Sequence, residues 1–127
     1  MVKLNERSEK NLIGVHPDLV KVVRRTAELS ETNFIITEGL RTKERQEQLV
    51  KQGASKTMNS RHITGHAVDF AVVLDGEVRW DWPLYVKLAK VFQKAANEVG
   101  IKVSCGAFWT RFPDGPHVEL DRSKYSA

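Results

Sequence analysis

The sequence predicts a small α+β domain, in which helices pack on one face of an antiparallel sheet and a cleft lies on the other. Short apolar runs of strand length alternate with longer stretches in which apolar residues recur at helical spacing. Glycine, proline and an Asp-Gly pair separate these runs, as expected for turns. The chain has 127 residues, of which 41% are hydrophobic and 28% charged, so it can bury one core. We expect residues 1–127 to form a single domain.

The first half is predicted to form a helix, a strand and a second helix. Residues 17–29 begin with Pro-Asp, and proline is favoured in the first turn of a helix. Residues 33–38 contain three consecutive bulky apolar side chains, which predict a buried strand that Gly39 ends. Thr42 can cap a helix that continues to residue 52, and Gly53 then stops it.

The second half supplies most of the sheet. Its predicted elements are a strand over residues 67–72, a hairpin turn at Asp75-Gly76, a long helix from Pro83 to Gly100, and strands over residues 101–103 and 118–120. The long helix is predicted from a stripe of apolar residues spaced three or four positions apart. Because the Asp-Gly turn reverses the chain, the strands on either side of it are expected to be antiparallel.

The sequence Ser-Arg-His-Ile-Thr-Gly-His-Ala-Val-Asp at residues 60–69 places His62 and Asp69 seven positions apart. Alternate side chains of a strand face opposite sides, so Asp69 shares its face with two alanines, which leave space above it. A turn at Gly65 can bring the ring of His62 over the same face. A carboxylate in an apolar strand is costly to bury unless a cation meets it, and a metal ion would be such a cation.

A second run, Asp114-Gly115-Pro116-His117, supplies another imidazole and a spare carboxylate. Its Gly-Pro turn can bring Asp114 and His117 together, although they would point to opposite sides of a regular strand. Two imidazoles and one carboxylate are typical ligands of a catalytic zinc ion, which keeps one coordination position open. We therefore predict that His62, Asp69 and His117 bind Zn²⁺. Asp114 is predicted to accept a proton from the attacking water of a hydrolase, and a plain turn role for it stays open.

The pattern Ser-x-His-x-x-Gly-x-Ala-x-Asp at residues 60–69 is followed by acid-x-x-His at residues 114–117. Together they resemble the zinc D,D-peptidase and L-alanyl-D-glutamate peptidase family of peptidoglycan hydrolases, most of all its small single-domain phage endolysins. Arg41-Thr42 and Gln46 also resemble the Arg-Thr/Ser-x-x-x-Gln element of that family. The likeness spans roughly residues 8–120 and implies the fold shared by D,D-peptidases and hedgehog proteins.

The resemblance implies the same three zinc ligands, with Asp114 as the general base. Arg41 would then bind the substrate or stabilise the oxyanion. The base is a glutamate in many relatives, so the shorter Asp114 must approach the reacting water more closely or rely on a small shift of its loop.

The activity that the resemblance implies is hydrolysis of the L-alanyl-D-glutamate bond in peptidoglycan stem peptides, which causes lysis of the bacterial host. We expect a monomeric enzyme without a separate wall-binding module. Its expected partner is the stem peptide. Three alternatives stay open. They are a D-alanyl-D-alanine carboxypeptidase or dipeptidase, a non-catalytic zinc-binding module of the same fold, and a small basic nucleic-acid-binding protein.

The net charge of +4 and the pI near 9.3 favour a polyanionic partner without identifying it. Basic and aromatic residues do not interleave as they do in proteins that stack nucleic-acid bases, and we expect no nucleic-acid partner. The first residues lack an apolar signal core, and no run approaches the ~18 apolar residues of a membrane span. We expect synthesis in the host cytoplasm without stable membrane insertion. The resemblance implies action on the periplasmic cell wall after the membrane has been permeabilised.

Four further residues have two interpretations each. His66 lies on the opposite strand face from the candidate ligand, and we expect it to support the site indirectly or to lie at the surface. Glu119 can orient His117 through a hydrogen bond or be an exposed edge carboxylate. Trp109 can line the cleft or pack beneath it. The single cysteine, Cys105, can be a nucleophile working with His117, but a buried small residue is the preferred interpretation.

Overall fold

The protein is described by a computed structural model over residues 1–55 and 57–125. In chain order, the elements are α1 (Glu6–Asn11), α2 (Pro17–Leu29), β1 (Phe34–Glu38), α3 (Lys43–Lys51), β2 (Ala67–Leu74), β3 (Glu77–Arg79), α4 (Trp82–Val99), β4 (Val103–Cys105) and β5 (His117–Leu120). A short 3-10 turn, Gly106–Phe108, lies between β4 and β5.

The described strands form one antiparallel sheet in the order β1-β2-β5-β4, and β3 pairs with the end of β2. Apolar side chains from α2 and α4 pack against one face of this sheet. The core residues that these elements share are Leu19, Val22, Val23, Phe34, Ile36, Val68, Phe70, Val72, Leu88 and Phe92. Burial of this apolar surface is the main force that holds the helices on the sheet. The predicted α+β class, with helices on one face of an antiparallel sheet, is confirmed.

Strand register places the candidate site on β2 and its two neighbours. Asp69 lies opposite His117 of β5 and opposite Glu38 of β1. The pairing of β1 with β2 shifts between Ile36 and Glu38, so Thr37 is an extra residue on β1. A bulge of this kind re-aims the side chains that follow it. Here it brings Glu38 beside Asp69.

The predicted helices agree with the structure. Helix α2 covers Pro17–Leu29 as predicted, and Thr42 caps α3, because its Oγ1 accepts a hydrogen bond from Arg45 N at 3.1 Å. Helix α4 begins at Trp82, one residue before the predicted Pro83. None of the helices in the described part of the chain combines the length and the apolar character that a membrane crossing requires.

The strand predicted over residues 101–103 is wrong, since β4 covers Val103–Cys105. Gly100 ends α4 in the left-handed conformation, and the N–H of Ile101 still donates to Ala96 O at 2.9 Å. This bond belongs to the cap of the helix. The register with β5 therefore begins after the cap, where Val103 lies opposite Leu120.

Helix α1 and the 3-10 turn have no counterpart among the predicted elements. The Oδ1 of Asn5 caps α1 by accepting a hydrogen bond from Ser8 N at 2.8 Å. A helix of six residues contains too few apolar positions for its periodicity to be recognised.

Candidate active site

The structure brings His62, Asp69 and His117 together on one face of the sheet. Oδ1 of Asp69 lies 3.3 Å from Nε2 of His62 and 3.2 Å from Nδ1 of His117. One ligand atom from each residue lies within 4.8 Å of the others, so the three side chains could hold a metal ion. Residues 48 positions apart in the chain meet here because β2 and β5 pair in register at Asp69 and His117.

A turn before β2 carries His62 to the site. Gly65 has a φ of +75°, which an L side chain rarely adopts, and a Cβ on it would lie 2.6 Å from Gly14 O. The turn is closed by His66 N, which donates to Arg61 O at 2.9 Å. This is the turn that the sequence predicts at Gly65, and it places His62 above Asp69.

Hydrogen bonding determines which nitrogen of His62 faces Asp69. Nδ1 lies 2.9 Å from the carbonyl oxygen of Gly39, which can only accept, so Nδ1 carries the hydrogen. Nε2 therefore presents a lone pair. It is buried, and no hydrogen-bond partner for it exists among the described residues, although Asp69 lies nearby. A buried nitrogen lone pair without a donor is the state expected of a metal ligand.

His117 is oriented by Glu119, which lies two residues later on the same strand. Oε1 of Glu119 is 2.9 Å from Nε2 of His117, while Oε2 accepts hydrogen bonds from Arg122 Nε at 3.1 Å and Arg61 Nη1 at 3.4 Å. Glu119 is only 4% exposed. The structure thus favours the orienting interpretation of Glu119 over an exposed edge carboxylate. With Nε2 donating to Glu119, Nδ1 of His117 is the nitrogen that faces the site.

The charged groups of the site shift one another's pKa values. Burial opposes ionisation of Asp69, but its interactions with His117 and then His62 outweigh the burial and hold the pKa of this carboxyl well below its ordinary value. Burial alone would lower the pKa of His117, yet the hydrogen bonds to Asp69 and Glu119 raise it to about 9. Burial likewise opposes ionisation of Glu119, but its bond to His117 leaves its pKa lowered. Without a metal ion, His117 therefore carries the proton that balances two carboxylates.

Asp114 lies on the loop before β5 and lines the same cleft as the three candidate ligands. We call this space, about 420 Å³ in volume, the main cleft. Asp114 N donates to Gly106 O at 3.0 Å, and a Cβ on Gly106 would lie 2.2 Å from Asp114 O, so only glycine permits this approach. Asp114 is exposed, yet the pKa of its carboxyl is raised. Partial desolvation is the largest cause, and the negative charge of Asp69 is the second.

Arg41 also lines the main cleft, but most of its guanidinium is already bonded to the protein. Nε and Nη2 each donate to one carboxylate oxygen of Glu38 at 2.7 Å, and Nη1 donates to Gln46 Oε1 at 2.8 Å. Nη1 also lies 3.4 Å from Ser60 Oγ, and Nη2 lies 3.7 Å from Asp69 Oδ2. This geometry favours a positioning role. Direct contact of Arg41 with a substrate stays a prediction.

Trp109, His66 and Cys105 take different places around the site. The ring of Trp109 lines the main cleft with its centroid 5.2 Å from that of His117, and its Nε1 donates to Ser104 Oγ. His66 lies outside the ligand cluster, where its Nδ1 is 2.8 Å from Thr64 Oγ1. Cys105 is buried, as predicted, and burial raises the pKa of its thiol to about 12.

Three contributors to the site were not singled out from the sequence. Glu38 anchors Arg41, the carbonyl of Gly39 fixes the ring of His62, and Arg61 supports Glu119. The role of the Gly39 carbonyl could not be predicted, because every residue has a backbone carbonyl. Glu38 lies at the end of a predicted strand, three residues before Arg41, and this short separation was the only sequence feature that suggested their ion pair.

With this geometry in place, comparison with known proteins identifies the family. The sequence matches the family described as phage L-alanyl-D-glutamate peptidase over residues 1–126. The chain belongs to this family. The resemblance predicted from residues 60–69 and 114–117 is thereby confirmed, and the family match extends beyond the predicted span at both ends.

Individual relatives carry the same description. The chain is 39% identical to the L-alanyl-D-glutamate peptidase of Escherichia phage T5, with coverage of 97% of this chain and 92% of that protein. It is 34% identical to the L-alanyl-D-glutamate peptidase of Listeria phage A118, where it spans 94% of this chain but 42% of that protein. It is 30% identical to the peptidoglycan L-alanyl-D-glutamate endopeptidase CwlK of Bacillus subtilis (strain 168). That match covers 84% of this chain and 75% of CwlK.

A solved structure also matches the fold. The L-Ala D-Glu endopeptidase ChiX of Serratia marcescens superimposes with a TM-score of 0.93 at 44% sequence identity. The match covers 100% of this chain and 95% of that one. The helices and the open antiparallel sheet described above are therefore the architecture of that endopeptidase.

Proposed function

We propose that this chain is a zinc-dependent peptidoglycan endopeptidase that hydrolyses the bond between L-alanine and D-glutamate in stem peptides and so lyses bacterial cells. The observation that carries the proposal is the meeting of His62, Asp69 and His117 in a cleft that Asp114 also lines. The names of the phage and Serratia relatives support the choice of bond.

The donor set fits zinc. Two imidazole lone pairs and one carboxylate form the three-ligand set of many catalytic zinc sites, and the orphaned Nε2 of His62 is an observation of this structure that a cation would explain. A bound zinc ion supplies Lewis acidity, which polarises an amide carbonyl and makes water nucleophilic near neutral pH. His62 would bind it through Nε2, His117 through Nδ1, and Asp69 through its carboxylate.

Asp114 is the proposed general base. It would take a proton from the attacking water and later pass that proton to the nitrogen of the leaving D-glutamyl fragment. Partial desolvation, the largest cause of its raised pKa, strengthens it as a base, because a more basic carboxylate accepts a proton more readily. The hydrogen bond from its backbone N–H to Gly106 holds the loop that carries it.

Arg41 is the second proposed catalytic residue. Its guanidinium lies at the wall of the main cleft, where Glu38 holds it in place, and its positive charge would reduce the cost of the negative charge that develops on the carbonyl oxygen. Glu119 is a positioning residue in this account, because it contacts His117 and not the reacting atoms.

Organisation and location belong to the proposal as well. We expect residues 1–127 to act as one monomeric catalytic domain. Coverage of 92% of the phage T5 protein supports a domain of this extent. The enzyme would be made in the host cytoplasm and would reach the periplasmic wall after the membrane has been permeabilised.

Mass spectrometry of peptidoglycan digests tests the proposal. Purified peptidoglycan treated with the wild type should yield fragments with new N-terminal D-glutamate. Chelation should abolish these fragments, and added zinc should restore them. Free D-alanine as the main product would instead identify a carboxypeptidase, and digestion that survives full removal of metal would contradict the zinc-dependent mechanism.

A further inference from the structure

A second cavity adjoins the main cleft, and its wall is basic. This space, which we call the side cavity, has a volume of about 360 Å³, and its charged lining residues are Lys43, Arg61 and Arg122. Arg61 and Arg122 also line the main cleft, as do Asn59 and Ser60. The two spaces are therefore neighbouring compartments along one surface.

The positive charge of the side cavity exceeds the negative charge that faces it. Glu119 interacts with both Arg61 and Arg122, but the same carboxylate also accepts the hydrogen bond from His117. Within the described part of the chain, Lys43 has no carboxylate within 4.0 Å of its ammonium group. Two of the three cations thus share one carboxylate and the third has none among the described residues, and this balance favours an anionic ligand.

Two of these cations are accessible to a ligand. Arg122 donates to Glu119 through Nε, and its side chain is 69% exposed, so its terminal nitrogens face solvent. Lys43 is exposed at the first position of α3, where the helix dipole disfavours a positive charge. Helix formation alone would favour an acidic residue at this position. Ser60 Oγ accepts hydrogen bonds from His62 N and Arg41 Nη1, so its hydroxyl hydrogen can be donated to a ligand.

The proposed substrate has a matching group. A glutamate inside a peptide uses one of its two carboxyl groups to continue the chain, so the other remains a free carboxylate only a few bonds from the amide that is cut. Glu119 contacts both Arg122 and the ring of His117, and Arg122 lines both spaces, so a group in the side cavity lies close to the proposed reacting centre. We propose that the side cavity binds the free carboxylate of the D-glutamyl residue, with Lys43 and Arg122 as its cationic contacts. This inference rests on the proposed function.

Two synthetic stem peptides that differ in one group test the inference. One carries the free D-glutamyl carboxylate, and the other carries a neutral amide in its place. The wild type should cleave the amide with a KM about fivefold higher and a similar kcat, because an ion pair at a solvent-exposed cation contributes about that factor. Lys43→Gln should raise KM for the free acid by a similar factor and leave KM for the amide unchanged.

The exposed Lys87 on α4 lines neither the main cleft nor the side cavity, so Lys87→Gln is the matched control and should change neither KM. Arg122 is unsuitable for this test, since its loss would also disturb Glu119. Equal KM values for the two peptides in the wild type, or an equal effect of Lys43→Gln on both peptides, would overturn the inference alone. Failure of the wild type to cleave either peptide would overturn the proposed function and this inference with it.

Discussion

The two carboxylate oxygens of Asp69 face different partners, and Arg41 is the partner of the second. Oδ1 lies between the rings of His62 and His117, whereas Oδ2 lies 3.7 Å from Nη2 of Arg41. Arg41 is itself fixed by the paired bonds to Glu38. Arg41 therefore helps to orient the carboxylate of a candidate metal ligand, and it can do so without touching the substrate.

Arg41→Lys tests this arrangement. Lysine keeps the charge but cannot form the paired bonds to Glu38, so we expect zinc affinity to fall about tenfold, as is typical for groups that orient metal ligands. Calorimetric titration of the metal-free variant with zinc measures this affinity. Arg24→Lys is the matched control, because Arg24 also forms paired bonds to a carboxylate, with Nη1 and Nη2 donating to Glu9 on an exposed surface. Unchanged zinc affinity combined with a raised KM would instead assign Arg41 to substrate binding.

Asp114→Asn removes the proposed base with little change of shape. We expect kcat to fall by roughly 10²–10⁴-fold, the usual contribution of a general base, while zinc affinity stays within a fewfold of the wild type. Asp75→Asn is a matched control, since Asp75 also precedes a glycine in a turn but lies at the exposed β2–β3 hairpin. Near-normal kcat in Asp114→Asn would remove this residue from the mechanism.

Glu119→Ala should weaken both the zinc site and the fold. His117 would lose the hydrogen bond that selects its tautomer, and zinc affinity should fall about 10–100-fold. Arg61 would be left as a buried charge without its carboxylate, which costs roughly 3 kcal/mol of unfolding free energy. Denaturant unfolding and zinc titration measure the two effects separately. Glu119→Gln retains an acceptor oxygen for His117 and should recover part of the zinc affinity, a result that a purely structural Glu119 would not give.

Zinc binding should depend on pH through His117. Because its pKa is raised to about 9 in the metal-free protein, zinc must displace its proton, so apparent affinity should rise as pH increases from about 6.5 to 9. The pKa of His117 is higher in the folded than in the unfolded metal-free protein, so its protonation stabilises the fold fully below about pH 6.5. This stabilisation is lost as the pH rises through about 9. Urea unfolding at several pH values should show that loss in metal-free protein. Zinc affinity that stays flat across this window would contradict the assigned protonation of His117.

Alkylating reagents should leave the enzyme active. Cys105 is buried, its Sγ lies 3.7 Å from Ala89 O, and the pKa of its thiol is raised to about 12, so little thiolate exists near neutral pH. Cys105→Ala should retain wild-type kcat within about twofold. A loss of activity on alkylation of the folded protein, absent from Cys105→Ala, would revive the nucleophile interpretation.

The sequence predicted the candidate ligand cluster because each of its residues has a distinctive side chain and a nearby turn. Gly65 indicated how His62 could lie over Asp69, and the Gly-Pro turn indicated how Asp114 and His117 could face one cleft. The supporting bonds could not be predicted in the same way. Arg61 and Glu119 are 58 positions apart, and their contact depends on the pairing of β2 with β5.

The fold was predictable where local chemistry decides it, at the cap of α3 and the Asp75-Gly76 hairpin. It was missed where a tertiary contact decides it. The start of β4 depends on the bond from Ile101 N to Ala96 O, and the bulge that aims Glu38 depends on register with β2. Neither leaves a periodic pattern in the sequence.

Anomalous scattering at the zinc edge from crystals of the zinc-loaded protein tests the central claim most directly. We expect one strong peak at about 2.0–2.2 Å from Nε2 of His62, Nδ1 of His117 and a carboxylate oxygen of Asp69. A peak elsewhere, or zinc bound through the opposite nitrogen of either histidine, would contradict the account.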